Sequence, residues 1–339
     1  MTIPITYVRS SMSSTFSMCG LKFFLGYVLG WNEPSNKKSD MGTIFHKVME
    51  ILAKIKLAKQ QNKRKIEDEI VGKYTTNLKN LNLDDIIDQV FNYYAKANDH
   101  HVWDDKDRKT VAQWVEKALK HENGTFDPLN QKIVEPEQHF DIQLEEEWAS
   151  NLKLKGTIDL LIQSDEDTYE IVDYKTGKRI NWGTGEEKTY EKLMNDFQLK
   201  FYHLAASILY PDIETILVTI YYVNDGGAFT IPFHKNDLPE TKRQIRELYE
   251  TIRYLDRPQK RRGFHCRFCA YSKTTFENSG VLPIVNVGQH KCHFTEMGEN
   301  MSMCDQTDYV LKYRDVDTVI LNMTKEGFTI DKYHSPGSV

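Results

Sequence analysis

The sequence predicts an α/β protein, a central mixed β-sheet flanked by helices, and three observations carry that reading. Apolar residues recur at helical spacing from Gly42 to about Lys59. After Pro128 the period changes to that of strands. A helical stretch from about Tyr190 to Leu209 then separates those strands from the apolar run Ile216 to Val223, which suits a central strand.

Residues 11 to 31 open with serines able to cap a helix and continue with aromatics and leucines, which predicts a short buried helix. A loop follows over Glu33 to Asp40. In the next helix Ile44, Phe45, Val48, Ile51, Leu52 and Ile55 form one apolar stripe. Three further helical patterns, roughly 64–80, 83–98 and 104–122, read as a helical insertion over 60–125. Ile133 to Leu144, Leu152 to Ile162 and Tyr169 to Lys175 form a meander, the last two joined through Ser164-Asp165-Glu166-Asp167. Asn224-Asp225-Gly226-Gly227 is a hairpin turn, and Asp237 to about Leu255 is a helix ended before Pro258. The chain thus divides into N-terminal helices (1–59), the insertion (60–125), a core of sheet and helices (126–258) and a basic, cysteine-bearing C-terminal region (259–339).

A chain of 339 residues with 40% apolar residues and five cysteines is neither disordered, collagen-like nor a disulfide scaffold. Its 44 basic and 49 acidic side chains leave a formal charge of −5, so any nucleic-acid role must rest on local patches. The longest apolar run near the N-terminus, Leu21 to Trp31, is too short to span a membrane and contains Lys22. No cleavable signal is visible. An odd number of cysteines, spaced unlike a secreted framework, points to a reducing compartment, and the protein reads as intracellular and cytoplasmic, without a membrane partner.

The strongest chemical signal is Gly156-Thr157-Ile158-Asp159 followed by Ile171-Val172-Asp173-Tyr174-Lys175-Thr176-Gly177. Alternate residues of a strand face one side, so Asp173 and Lys175 point together. If the preceding strand pairs through the hairpin, Asp159 can approach that face. Two carboxylates sharing one Mg²⁺ make a hard-oxygen metal site, with the lysine beside it to hold or deprotonate a water. An isolated Asp-x-Lys would otherwise be an exposed strand end of negligible energy. Gln198 and Tyr202, four apart, share a helix face, with core packing the alternative for Tyr202. His46 lies with Glu50 roughly opposite the apolar stripe of its helix, facing either solvent or a cleft closed by the 60–125 lobe. No serine or cysteine sits in a triad motif, and the G-x-x-x-x-G-K-[ST] loop of a helicase motor is absent from the sequence.

GTID at 156–159 and VDYKTG at 172–177, with MCGLKFFLGYVLG at 18–30, GTIFHKVME at 42–50 and QLKFY at 198–202, together resemble the RecB-like branch of the PD-(D/E)XK nucleases. That branch includes the nuclease domains of RecB and AddB and the exonucleases of CRISPR adaptation. The resemblance spans roughly 13 to 272 and implies a restriction-endonuclease-like core. It also implies that Asp159 and Asp173 are Mg²⁺ or Mn²⁺ ligands, with His46 and the Tyr174 carbonyl completing the shell. Lys175 would be the catalytic lysine, and Gln198 and Tyr202 would be associated with DNA and the active site. The implied activity is hydrolysis of DNA phosphodiesters, exonucleolytic, in recombination, repair or processing, alone or with separately encoded helicase or recombination proteins. A structure-specific or restriction-like endonuclease and a non-catalytic DNA-binding assembly subunit are the alternatives.

Cys266-Arg267-Phe268-Cys269 has a spacing that lets two thiolates share one metal. In some members of the resembling family, three C-terminal cysteines and one N-terminal cysteine hold a [4Fe-4S] cluster. Cys19, Cys266 and Cys269 match three of these positions, and Cys292, displaced by an apparent insertion, stands as the fourth. Zn²⁺ on Cys266, Cys269, Cys292 and His290 or His293 is an alternative, and unmetallated thiols are another. Beside the pair, Lys260, Arg261 and Arg262 are interleaved with Phe264, Phe268 and Tyr271. Cations neutralise phosphates and rings stack on bases, a combination suited to DNA with a free end or single-stranded. The plainer reading is a solvated charge run closing a helix.

Overall fold

The computed structural model describes residues 5–28, 35–149 and 151–255, single residues 259, 261, 265 and 269, and the strand pairs 286–287 and 328–329. The chain enters through the short β1 (Tyr7–Val8) and α1 (Ser10–Met18). Arg9 takes the N-cap position, so the serines of α1 are helical residues rather than caps. Cys19 then adopts extended backbone, φ −161°, and splits the single expected helix into α1, α2 (Gly20–Phe23) and a wide turn over Phe24–Val28. The Asn36 side chain accepts the Ser39 amide at 2.9 Å, so α3 (Lys37–Gln60) begins inside the expected loop.

Residues 64–80 depart from the helix expected there: β2 (Lys65–Asp68) and β3 (Gly72–Thr75) form an antiparallel hairpin. Ile66 and Asp68 alternate inward, and Gly72, at φ +62°, turns the chain. The Asp68 carboxylate is buried against α3, receiving Lys47 at 3.1 Å and Lys54 at 2.8 Å. Next, α4 (Leu83–Ala97) and α5 (Asp105–Lys120), capped by Asn82 and Asp104, bury Ile86, Val90, Val111 and Val115 against Ile44, Val48 and Ile51 of α3. His101, just beyond α4, reaches Asp40 near the start of α3 at 2.8 Å and ties the two helices together.

The sheet follows. β4 (Ile133–Gln143) runs antiparallel to β5 (Lys153–Asp165), and β5 turns back into β6 (Thr168–Lys175). The expected helix over 190–209 is two, α6 (Tyr190–Met194) and α7 (Phe197–Leu209), because Asp196 caps the Gln198 amide at 2.9 Å and restarts the helix. The crossover through them returns β7 (Thr215–Tyr222) parallel to β6, and the turn before Gly227 sends β8 (Gly227–His234) back along β7. The six-stranded order is β1-β5-β6-β7-β8, with β4 on the other edge of β5. α8 (Leu238–Arg253) completes the arrangement. Helices cover both faces: α3 to α5 pack on Leu160, Val172 and Tyr174, while α7 and α8 pack on Leu161, Ile171 and Val218. Among the described residues, no helix is long and apolar enough to cross a membrane.

Two glycines are required by close approach. A Cβ on Gly42 would stand 3.0 Å from Thr176 Oγ1, so α3 lies directly on the end of β6. A Cβ on Gly156 would stand 2.5 Å from Cζ of Phe140, a side chain already buried across β4. Gly156→Ala is therefore expected to cost about 1–3 kcal/mol by overpacking. Thermal unfolding would show a Tm lowered by several degrees and partly restored when Phe140→Leu is added. Asp68 makes a second prediction. Burial opposes its charge, but hydrogen bonds from Lys54, the Ile70 amide and Lys47 prevail and bring the carboxyl down to about 2. A depressed carboxyl contributes stability above its unfolded pKa and loses it as pH falls through the folded one. The Tm gap between the parent and Asp68→Asn should therefore be full near neutrality and close between about pH 4 and 2; a gap independent of pH would refute the account.

Candidate active site

The site forms where two strands part. β6 pairs with β5 up to Val172 and Leu160 and no further, while β4 stays with β5 beyond that point. Asp173 and Asp159 are the first residues past the last shared pair, at the mouth of the fork. The Tyr174 amide, which has no β5 carbonyl to meet there, donates instead to Asp159 Oδ2 at 3.0 Å. The Tyr174 ring is buried edge-on to Phe45 and its hydroxyl donates to the Phe126 carbonyl at 2.8 Å, so the strand end is anchored from the α3 side.

Each flank supplies one partner to one carboxylate. From α3, His46 Nδ1 lies 3.2 Å from Asp159 Oδ2. From α7, Gln198 Nε2 donates to Asp173 Oδ1 at 3.1 Å and meets the Tyr202 hydroxyl at 3.0 Å, so one amide holds both. Lys175 Nζ is 2.5 Å from Asp173 Oδ2, as the shared strand face requires. The structure thus brings together His46, Asp159, Asp173, Tyr174, Lys175, Gln198 and Tyr202. Arg261 donates to the Ser17 carbonyl at 2.9 Å, beside α1, and Cys19 and Cys269 are buried. Lys260, Arg262, Cys266 and Cys292 lie outside the described residues.

The charges in the fork drive one another. Burial works against ionising His46, but Asp159 outweighs it and lifts the imidazole above its ordinary 6.5. Burial likewise opposes the Asp159 charge, and His46, Lys175 and the Tyr174 amide overcome it, holding that carboxyl below the usual range. Asp173 is only 2% exposed, and burial raises it despite Lys175, with Asp159 adding repulsion. Lys175 is held protonated by Asp173 and Asp159 against its own burial.

A divalent cation suits this donor set. Asp173 Oδ2 is buried and faces only the ammonium of Lys175, at 2.5 Å, among the described residues. A buried carboxylate oxygen with one ammonium partner, next to a second carboxylate and an imidazole, is a donor set that a hard cation binds. A separate group, Asp40, His100 and His101, brings its donor atoms within 4.8 Å of one another where the chain after α4 meets the start of α3.

Two features escaped the sequence reading. Glu137 stands across β4 from Asp159, between the pairs Pro136–Leu160 and Gln138–Ile158, in left-handed backbone at φ +48°. Burial, Asp159 and Glu50 push its carboxyl up to about 7. Its one advance signal was Pro136, since proline inside a strand marks a local irregularity. The other is a cleft of about 610 Å³ beside Lys175 and Gln198, walled by α1 and by the loop after β6. Glu50, in contrast, turns away to Lys47 and Lys54 and serves the Asp68 ion cluster.

No curated protein matches the sequence. Among solved structures, a candidate exonuclease from Eubacterium rectale is similar, with 11% identity and a TM-score of 0.45 over 82% of this chain and 89% of that one. The family model of the PD-(D/E)XK nuclease superfamily matches residues 10–274, which hold the whole fork and both helices that flank it, and the chain belongs to that superfamily.

Proposed function

We propose that this nuclease is a Mg²⁺- or Mn²⁺-dependent deoxyribonuclease of the RecB-like branch, acting from DNA ends. The observation that carries the proposal is the joint placement of Asp159, Asp173 and Lys175 at the strand fork, with His46 entering from α3. The Gln198 amide shared between Asp173 and Tyr202 supports the branch, because it gives the Gln-x-x-x-Tyr spacing a physical role. DNA recombination, repair or processing, with a separately encoded helicase where unwinding is needed, is the setting this activity suits.

Asp159, Asp173, His46 and the Tyr174 carbonyl would hold the cation. When bound, it lowers the pKa of a water and offsets charge on the scissile phosphate. The remaining work belongs to the chain. Lys175, kept protonated by two carboxylates, donates from its ammonium to orient a water or a phosphate oxygen rather than removing a proton. Gln198 fixes the rotamer of Asp173 through its Oδ1, leaving Oδ2 directed into the fork. Tyr202, buried and with its phenol raised well above 10 by that burial, keeps its proton and positions Gln198.

The C-terminal metal is also a proposal, with a [4Fe-4S] cluster on Cys19, Cys266, Cys269 and Cys292. Supporting it, the Leu21 amide bonds the Gln259 carbonyl at 3.2 Å and Arg261 bonds Ser17, so the segments on either side of Cys19 already meet the segment leading to Cys266. A metal joining them would close a long loop and stabilise the fold through the unfolded chain. Anaerobically prepared protein should be brown and contain iron. Zinc in its place, with metal kept in Cys19→Ala, would favour the zinc alternative.

End-labelled linear DNA beside a closed circle tests the main proposal: the linear form should be degraded with Mg²⁺ or Mn²⁺, the circle spared, and chelator should abolish the loss. Nicking of the circle would turn the assignment to an endonuclease. Lys175→Ala should lower turnover by about 10²- to 10⁴-fold while Mn²⁺ binding by calorimetry persists, whereas Asp173→Ala should lose both. pH supplies a further check. Below its raised pKa, His46 carries a proton that competes with the cation, so Mn²⁺ affinity should climb as pH rises through that value. His46→Ala should flatten the climb; an unchanged pH profile in that variant would remove His46 from the site.

A further inference from the structure

The helical lobe holds a second group of metal-binding side chains, apart from the fork. Asp40 and His46 share α3, but six residues separate them, which sets them about 9 Å apart along the axis and on different faces. The Asp40 carboxylate is buried, and its Oδ2 accepts from the Ser35 hydroxyl at 2.8 Å and from His101 Nε2 at 2.8 Å. His100 supplies a third donor. One ligand atom from each of Asp40, His100 and His101 lies within 4.8 Å of the others.

Consecutive side chains of a helix or strand point apart, so two adjacent imidazoles meet only where the backbone turns. α4 ends at Ala97, and the Asn98 side chain donates to the Tyr94 carbonyl at 3.1 Å. The Asn98 carbonyl then accepts the His101 amide at 3.2 Å and the Trp103 indole at 2.9 Å. This turn sets the two imidazoles 4.0 Å apart, with Trp103 edge-on to His101 to fix its plane. Lys37, one turn before Asp40, is held by Asp107 at 2.5 Å and by the Val102 carbonyl at 2.6 Å, so its charge is already matched. The bond to Asp40 accounts for His101 but not for His100. That ring is exposed and has, among the described residues, no hydrogen bond, only its contact with His101.

We propose that Asp40, His100 and His101 form a Zn²⁺ site that staples the turn after α4 to the start of α3. The site is separate from the fork and does not rest on the nuclease reading. Two imidazoles and a carboxylate suit Zn²⁺, whereas Mg²⁺ takes oxygen donors and keeps much of its water. Tetrahedral bonds of about 2.0–2.2 Å put ligand atoms on the order of 3.3 Å apart. Donors already within 4.8 Å therefore close on one ion through small turns of the imidazoles. Coordination through Nε2 replaces the His101 hydrogen bond to Asp40 and moves the one proton of the neutral ring to Nδ1, so the ring loses no proton. Three protein ligands leave a fourth position for water. The ion holds the lobe onto the helix that carries His46 without entering the fork.

The experiment titrates Zn²⁺ into the full-length chain, stripped of metal and kept in excess Mg²⁺, and follows calorimetry and thermal unfolding beside His100→Ala. An exposed ring without a hydrogen bond can be removed with the fold and the Asp40–His101 contact left in place. Zinc at the fork or at the cysteines is common to both proteins, so their difference reports this site alone. The parent should bind a Zn²⁺ with Kd of about 1 μM or tighter, and His100→Ala should bind that ion at least about 100-fold more weakly. Zn²⁺ should raise the parent Tm by a few degrees more than that of the variant. Asp40→Asn should lose the same ion, and Mg²⁺ should not take its place. Zn²⁺ should also slow amide hydrogen exchange over residues 98–103 in the parent and not in His100→Ala. Equal zinc stoichiometry and affinity in the parent and His100→Ala would overturn the proposal, as would a parent site that fills only at millimolar Zn²⁺.

Discussion

The Tyr174 amide bonded to the Asp159 carboxylate is the contact on which the site depends. Where β6 leaves β5, a backbone donor would be stranded in a half-buried place, and an unpaired donor there costs about as much as a lost hydrogen bond. Asp159 satisfies it from across the gap. The bond therefore stabilises the parting of the strands and, in the same stroke, draws one carboxylate toward the other. The geometry of the fork comes from an interruption in sheet pairing that the sheet itself could not otherwise tolerate.

Two helices then set what the fork can do, and each is positioned by something other than the chemistry. α3 lies tight on the end of β6 because Gly42 has no side chain to keep Thr176 away, and that closeness carries His46 to Asp159. α7 starts at Phe197 because Asp196 caps it, which places Gln198 in its first turn, level with Asp173. The cap and the glycine are thus part of the site without touching a substrate. Glu137 adds a third acid from β4, held in left-handed backbone that costs on the order of 1–3 kcal/mol for a non-glycine residue.

Much of this was legible because strand and helix periods are stated locally. Asp173 and Lys175 share a face by alternation alone, and Gln198 and Tyr202 by helical spacing. His46 was readable only as a polar residue opposite an apolar stripe, since whether solvent or a carboxylate waits on that side depends on a strand more than a hundred residues away. The hairpin at 65–75 was misread as a helix because its charged residues suit an exposed helix equally well, and the deciding facts are tertiary: Asp68 buried between two lysines of α3, and Gly72 in a left-handed turn. The serines of α1 suit caps by sequence alone for a similar reason. A serine near a helix start is usually a cap, and only a neighbouring wall shows that four of them face one cleft.

The ion cluster on α3 separates two kinds of pH response. Lys54 and Lys47 of α3, each also paired with Glu50, hold Asp68, and together with the Ile70 amide they keep its carboxylate ionised down to about pH 2. The hairpin and α3 therefore stay joined throughout the range in which His46 and Glu137 change charge. His46 is lifted above 6.5 by Asp159, and Glu137 is raised to about 7 by burial and by the same carboxylate. If the fork holds a cation as proposed, that cation would compete with a proton on each of these two groups near neutrality. The ion pairs between the hairpin and α3 meanwhile keep their charges. The Asp68 ion cluster is thus no source of pH dependence near neutrality, whereas His46 and Glu137 in the fork are.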